Sequence, residues 1–506
     1  MRGVLTSSFA DTIGGSVFND TIVVQSGGQH AVDGRGGVNT VNYRGSDAII
    51  LDLGDIAAAP GGFGGWQGSI TKVAGFDTLS NFHRGYGGAG NDTLLGTPDD
   101  DTLGGAQGNN LIDGRGGLNT VSYRSWQGVA PTHGAVIDLA AGTATNPWDG
   151  TDTLTNIQSA DGSQFADGIT GLAIAGSRTF IRGDGGNDTL VAGATDTLVT
   201  ANYSSSLSGV FVHLGAQITF DDGWFGGSDT LVNIQSASGS AFDDALVGGT
   251  HAGRLDGNDG DDVIHGAAGD DTLNGGNGDD FLQGGGGVDR YAGGAGADQF
   301  DLLGEQDQGL YGANTGLRSK LAALDAVSDF NAAEGDTLRI NEADRQFNLV
   351  FGTPKPLIWL GTLAAVAAPV IGLALPGQSF ANVAFAAFWV PDAASGGWVV
   401  VDADRNGTLG ADDFIVRLDA PAALAIGSGD FVSGTFITPI LGDAGANSIA
   451  GTALSDLIGA GAGVDTVLGG AGDDTVDGGT GADRLYGGTG NDTFLVDTQA
   501  DLSRLR

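Results

Sequence analysis

Aspartates recur every nine residues in two stretches of this 506-residue chain. Asp262, Asp271, Asp280, Asp289 and Asp298 form the first series, and Asp456, Asp465, Asp474, Asp483 and Asp492 the second. Carboxylates at fixed spacing, each preceded by glycines, offer the mixture of carboxylate and backbone-carbonyl oxygens that a hard cation such as Ca²⁺ takes as ligands. No other chemistry is assembled. None of the six histidines (His30, His83, His133, His213, His251, His265) is followed by Glu, so the zinc-protease motif HExxH is absent. No GxSxG nucleophile elbow occurs, and none of the three lysines follows a glycine as a phosphate-binding loop requires. With no cysteine there is no thiol nucleophile, thiolate metal site or disulfide. Carboxylates are abundant enough to pair by chance, and the sequence reads as a non-enzyme with no catalytic residue and no cofactor besides Ca²⁺.

The spacing dictates the elements that must carry these aspartates. From Gly239 to Asp301 the chain reads GSAFDDALV, GGTHAGRLD, GNDGDDVIH, GAAGDDTLN, GGNGDDFLQ, GGGGVDRYA, GGAGADQFD. From Gly442 to Leu495 it reads GDAGANSIA, GTALSDLIG, AGAGVDTVL, GGAGDDTVD, GGTGADRLY, GGTGNDTFL. Glycines open backbone angles closed to other residues, so GGxGxD can make a tight turn with converging carbonyls. The three residues that follow are a minimal strand with one large apolar side chain pointing inward. One such strand buries almost nothing and is stable only when stacked on its neighbours. The sixth-position Asp then recurs at the same place on successive turns as a carboxylate row.

These units match the RTX nonapeptide GGxGxDxUx, in which U is a large apolar residue, and many consecutive in-frame copies make the resemblance specific. It implies a right-handed parallel β-roll with calcium ions held between turns. The expected fold is therefore all-β, a β-roll or β-helix solenoid with more than one roll, and helix confined to a little of 302–390. Shorter in-frame stretches at 6–23, 87–122 and 183–191 add Asp92, Asp101, Asp188 and Asp244 (the last from the first array) as weaker metal candidates. A larger period overlays the small one: Tyr43, Tyr123 and Tyr203 are each followed by an apolar strand (AIILDL, AVIDL, VFVHL) and a closing motif, DTLSNF, DTLTNI or DTLVNI. Residues 1–238 thus read as a degenerate solenoid of three similar modules. Several sixth positions there are Asn39, Asn110 and Asn119, which lack the charge.

Residues 239–301 read as a first β-roll and 442–506 as a second. Between them, 302–441 breaks the frame, and DAVSDFNAAEGDTLRI, WVVVDADRNGTLGADDFIVRL and SGDFV resemble the C-terminal β-roll extension of serralysin-type proteases. That resemblance implies a segment packed on the end of a roll and not itself catalytic. Within it Asp402, Asp404, Asn406, Gly407 and Asp413 fall on positions 1, 3, 5, 6 and 12 of an EF-hand loop. Position 12 is Asp where Glu is usual, and the flanks look like strands. Two readings stand for this loop, a calcium site or an acidic hairpin turn.

Charge bounds the partners. A net charge of −40, from 61 acidic against 21 basic side chains, argues against nucleic acid and anionic membranes. The 41% hydrophobic content is too high for an acidic disordered chain. The apolar run Leu357 to Leu375 contains Gly361, Pro369 and Gly372, and reads as buried strands or a core helix in preference to a membrane span. The start, from Met1 to Asp11, has no apolar core of a cleaved signal peptide. Resemblance to RTX proteins implies export by type I secretion machinery to the extracellular space. A structural or adhesive role toward a cell-surface or glycan target is the leading expectation. The alternative is the non-catalytic repeat portion of a secreted RTX enzyme or toxin, and a cytosolic calcium buffer is disfavoured because millimolar-range sites would stay empty there.

Overall fold

A nine-residue unit holds one turn and one three-residue strand, which carries the chain only halfway round a coil, so two units complete it. The register follows: Thr475–Asp477 lies parallel to Thr493–Leu495, with Thr475 opposite Thr493, eighteen residues on. Alternate repeats therefore build alternate sheets. The computed structural model describes residues 2–302, apart from 28, 46–47, 55–66, 73–74, 125–130, 173–177, 193–198 and 224–226. Beyond that it describes 326–331, 334, 336–339, 357–362, 385–392, 396–402, 414–419, 426, 430 and 439–495. Among these residues the secondary structure is short β-strands, mostly parallel, with no α-helix. The chain forms two compact units, Met1–Ile264 and His265–Arg506.

In the first unit one parallel ladder climbs through Arg2–Leu5, Asp20–Gln25, Thr40–Arg44, Arg84–Tyr86, Thr102–Gly104 and Thr120–Ser122. It continues through Ser159–Asp161, Thr179–Arg182, Val199–Asn202, Ser236–Ser238 and Arg254–Asp259. The opposite sheet is interrupted three times by antiparallel excursions. Ile50–Asp52, Gln67–Lys72 and Gly75–Ser80 form the first of them. Val136–Asp138, Thr143–Thr145 and Thr151–Thr155 form the second. Phe211–His213, Ile218–Asp221 and Thr230–Val232 form the third. Each begins with the apolar strand, and ends with the closing motif, of one Tyr-spaced module. The inward residues of both sheets form the core, among them Val41, Leu51, Leu94, Ile112, Val121, Ile169 and Leu190, all 1% exposed or less.

In the second unit Thr272–Asn277 pairs with Arg290–Ala295, and Phe281–Gln283 with Gln299–Asp301. The frame-breaking segment extends both ladders: Ala326–Val327 adds to Arg290–Ala295, and Thr337–Arg339 to Gln299–Asp301. An antiparallel meander of Phe385–Pro391, Gly397–Asp402 and Phe414–Leu418 follows and joins Ala326–Val327 through its last strand. Trp389, Phe388, Val399, Val400 and Val416 are buried in it. Of the apolar run, Leu357–Thr362 is a strand and the remainder lies outside the described residues. No helix among the described residues is long and apolar enough to cross a membrane. The C-terminal array has its own core of Ile449, Ile458, Val467, Val476 and Leu485, the eighth residues of five consecutive repeats.

Two of the three glycines in a full repeat are there for backbone angle. The fourth-position Gly278 and Gly490 have φ of 133° and 139°, where a Cβ is strained. The second position is also left-handed, but it tolerates Asn258 at φ 88° and Ala267 at φ 73°. The first-position glycine has another reason, which belongs to the site.

Candidate metal sites

The sixth-position carboxylates stitch coil to coil. The backbone N–H of Asp456 donates to Asp474 Oδ1 at 2.9 Å, and that of Asp474 to Asp492 Oδ1 at 3.0 Å. In the other row Asn447 N–H donates to Asp465 Oδ1 at 2.6 Å and Asp465 N–H to Asp483 Oδ1 at 2.8 Å. The same bond links Asp271 to Asp289 at 2.9 Å and Asp280 to Asp298 at 3.0 Å. In the first unit it links Asp244 to Asp262 at 2.7 Å. The expected single row on successive turns is thus corrected to stacks of alternate repeats, because each repeat spans only half a coil. Asp298 N–H donates onward at 3.1 Å to Asp336, a residue outside any repeat frame that the sequence does not single out.

One carboxylate oxygen is used in this way, and the other faces a cradle. The Oδ2 atoms of Asp188, Asp298, Asp465 and Asp474 are buried and have no hydrogen-bond partner. The first-position glycine forms the cradle floor. A Cβ on Gly96 would come within 2.6 Å of both Asp101 Oδ2 and the Gly114 carbonyl oxygen, eighteen residues further along. The same three groups converge at Gly239, Gly275 and Gly469, with Asp244, Asp280 and Asp474 and the carbonyls of Gly257, Gly293 and Gly487. At these positions glycine leaves the space to oxygens, whereas Ala460 holds the same position in the repeat of Asp465. No group of three or more His, Cys, Asp or Glu side chains suited to a metal occurs among the described residues. Any ion would be held by carboxylate and carbonyl oxygens together, a donor set that fits Ca²⁺ and suits thiolate- or imidazole-preferring metals poorly.

Burial raises the Asp474 carboxyl above the ordinary range, and the neighbouring charges of Asp492 and Asp456 add to it. Asp298 is pushed up to about 6 by burial and the charges of Asp336, Asp329 and Asp279. Asp167 also reaches about 6 through burial. A carboxyl whose pKa is higher folded than unfolded stabilises the fold below the unfolded value, and that contribution is lost as pH rises through the folded value. For a rise from 3.8 to about 6 the loss is on the order of 3 kcal/mol per group. Calcium-chelated protein is therefore expected to melt at a higher temperature at pH 5 than at pH 7, and the gain from added Ca²⁺ to widen as pH rises through 6. Thermal unfolding across this range, with and without chelator, checks both signs; a flat chelated profile would contradict them.

Not every candidate is open. Where the second residue of a unit is Ser or Thr, its N–H and hydroxyl both reach the aspartate. Ser240 donates to Asp244 at 2.6 and 2.8 Å, Thr452 to Asp456 at 2.6 and 2.9 Å, and the Thr97 hydroxyl to Asp101 at 3.0 Å. His83 Nδ1 also stands 3.3 Å from Asp101 Oδ1, and that contact raises the imidazole pKa. Asp92 accepts from Gly88 N–H at 2.7 Å and Ile49 N–H at 2.9 Å. Asp402 ends the strand Gly397–Asp402, antiparallel to Phe414–Leu418, so the EF-hand-like loop is flanked by strands. Asp404, Asn406 and Asp413 lie outside the described residues. The structure adds Asp152 and Asp229 of the closing motifs, which take the sixth-position role: Asn110 N–H donates to Asp152 Oδ1 and Asp188 N–H to Asp229 Oδ1, both at 2.9 Å. The module tyrosines hold their other oxygens, Tyr123 on Asp152 Oδ2 at 2.8 Å and Tyr203 on Asp229 Oδ2 at 3.0 Å. The period of the tyrosines was a signal for this pairing, but nothing in the sequence alone joined them to those aspartates.

The family model of the RTX calcium-binding nonapeptide repeat matches residues 86–121, 180–198, 238–273, 247–282, 265–300, 441–476 and 459–494. A search of curated proteins finds no match to the chain. The open cradles of Asp188, Asp298, Asp465 and Asp474 all lie inside matched segments.

Proposed function

We propose that this chain, a calcium-binding RTX-repeat protein, is exported by type I secretion machinery, folds around Ca²⁺ outside the cell, and acts there in adhesion or surface interaction without catalysis. The observation that carries the calcium-driven part is the set of buried, partnerless Oδ2 atoms of Asp298, Asp465 and Asp474, of which Asp474 Oδ2 lies against the Gly469 cradle that also receives the Gly487 carbonyl. The ions would be held by Asp262, Asp271, Asp280, Asp289 and Asp298 and by Asp456, Asp465, Asp474, Asp483 and Asp492, with the turn carbonyls. A bound divalent ion supplies positive charge between coils, where buried carboxylates otherwise oppose stacking. The extracellular part is supported by calcium chemistry and charge. Weak sites fill at the millimolar calcium of extracellular fluids and stay empty in a cytosol. A net charge of −40 opposes compaction until cations neutralise it, which suits a chain that folds after export.

Export tests the localisation directly. Co-expressed with a type I exporter, the chain should accumulate in the medium, and retention in the cell with a functional exporter would overturn that part. The non-catalytic reading predicts no protease, esterase or glycosidase turnover in the isolated calcium-loaded chain. Reproducible turnover that is abolished by substituting one carboxylate would refute it.

A further inference from the structure

Two of the three modules carry an arginine directly after the module tyrosine, and the two arginines meet different surroundings. In the second module Arg124 follows Tyr123, and its Nε and Nη2 both donate to the carboxylate of Asp184. Its Nη2 also donates to Ser205 Oγ at 2.7 Å, and Asp161 Oδ2 stands 3.9 Å from its Nε. One guanidinium thus serves two carboxylates and a hydroxyl, which its five N–H donors allow. In the first module Arg44 follows Tyr43. Two coils on, the ladder through Arg84–Tyr86 and Thr102–Gly104 brings Ala106 to the place that Asp184 holds after Ser159–Asp161 and Thr179–Arg182. Both residues are second in their unit and both are left-handed, with φ of 60° and 67°. A methyl group therefore stands where the second module has its captive carboxylate.

An open cleft of about 470 Å³, mouth included, lies at this place, with Asn42, Arg44, Ala106, Gln107 and Trp148 among its walls. Backbone bonds tie its floor across three coils: Ala89 N–H donates to the Gly45 carbonyl at 2.9 Å, and Gln107 N–H to the Gly88 carbonyl at 3.1 Å. The turn of the second excursion brings Trp148 to the cleft. Trp148 N–H donates to Asn146 Oδ1 at 3.2 Å, and Asn146 Nδ2 donates to the Gly108 carbonyl at 2.8 Å. Trp148 is left half-buried and Arg44 exposed. Asn42 is 4% exposed, and its Nδ2 has no hydrogen-bond partner. A buried donor in that state is costly until something accepts from it. Among the described residues that line the cleft, none is acidic.

A cleft that offers a guanidinium, two amides and an indole fits a ligand with a carboxylate, further hydrogen-bonding groups and one apolar face. We infer that it binds a single carboxylated pyranose, the terminal sugar of a glycan. Arg44 takes the sugar carboxylate as Arg124 takes Asp184, and it can do so beside another partner, as Arg124 does. Asn42 and Gln107 pair with the ring substituents, and Trp148 packs on the C–H face of the ring. One terminal acid fits better than a polyanionic chain, because a protein of net charge −40 repels a polymer of like sign. The inference gives the proposed surface interaction a ligand, and rests on that reading only for the glycan that carries the sugar.

Ligand-observed NMR titration of the calcium-loaded full chain tests this, with glucuronic acid and N-acetylneuraminic acid as probes and methyl glucoside as the neutral control. One of the acids at least should bind with a dissociation constant on the order of 1 mM. The neutral sugar should bind about tenfold more weakly or not at all, because it lacks the charge-assisted bonds. Ala106→Asp copies Asp184 at a φ that aspartate tolerates better than alanine. It should keep the melting temperature and abolish binding, since the planted carboxylate occupies Arg44. Should Ala106→Asp fail to fold, Arg44→Gln is expected to lose the preference for the acids. Failure of both acids to bind, equal binding of the neutral sugar, or wild-type affinity in the folded variant overturns the inference. Those results would leave the calcium and export readings in place, and retention of the chain in the cell would leave binding by the purified protein in place.

Discussion

Asp474→Ala should raise the free-calcium midpoint for ordering of the C-terminal array about fivefold, and Asp456→Ala distinctly less. Asp474 is 1% exposed; its Oδ1 holds the Asp456 N–H, and its Oδ2 faces the cradle between Gly469 and the Gly487 carbonyl. Alanine removes a charge-assisted hydrogen bond, about 1.5–3 kcal/mol, together with one cation ligand. An ion present at tenfold over its dissociation constant stabilises the fold by about 1.4 kcal/mol. If each ion joins alternate repeats, five aspartates make about three sites, and a combined loss of about 3 kcal/mol is ~1 kcal/mol per ion, which is the fivefold shift. Asp456 differs because Thr452 already donates twice to its Oδ2. Asp11, half-buried and held by Ser7 and His30 outside both arrays, should leave the midpoint unmoved when replaced by alanine. Far-UV circular dichroism against free Ca²⁺ measures all three. Equal shifts for Asp474 and Asp456, or β-structure in the array that survives chelation intact, would refute calcium-linked ordering.

The contrast between Asp474 and Asp456 marks where sequence reasoning runs out. Periodicity exposes what every repeat must do alike: the eighth-position Val467, Val476 and Leu485 turn inward, and glycine permits the turn. The parallel all-β solenoid was therefore legible. The stacking distance was not, because a period of nine does not say how many units close one coil; the pairing of Thr466 with Arg484 does. Differences between repeats were harder still. Ser240 and Thr452 stand at a glycine position, and each satisfies the carboxylate four residues on. Side chains that meet across an excursion, such as Tyr203 and Asp229, lie 26 residues apart with no local pattern linking them. The asparagines at sixth positions were read as weak metal sites, whereas Asn110 closes its site with its own amide. Local hydrogen-bond donors thus satisfy such carboxylates in part of the first unit.

If oxygens and not backbone angle explain the first-position glycine, Gly469→Ala should cost the array its response to calcium. Gly469 is absent from the left-handed positions, so alanine meets no φ penalty there. Its methyl would instead collide with Asp474 Oδ2 and the Gly487 carbonyl oxygen, inside the space an ion needs. The carbonyl is fixed by the ladder in which Gly470 lies opposite Gly488, so it cannot retreat far. Overpacking of this kind costs about 1–3 kcal/mol, and the expected further effect is loss of at least one bound ion with a calcium midpoint raised about tenfold, provided that each ion contributes as above. Gly168→Ala is the matched control: it too lies in a strand without a left-handed φ, but a Cβ there meets nothing within 4 Å. That variant should keep every ion and gain about 0.4–1 kcal/mol by restricting the unfolded chain. Calcium stoichiometry by equilibrium dialysis, read beside the melting temperature in chelator, separates the two causes. A Gly469→Ala protein that binds the wild-type number of ions at the wild-type midpoint would show that the cradle is not where the cation sits.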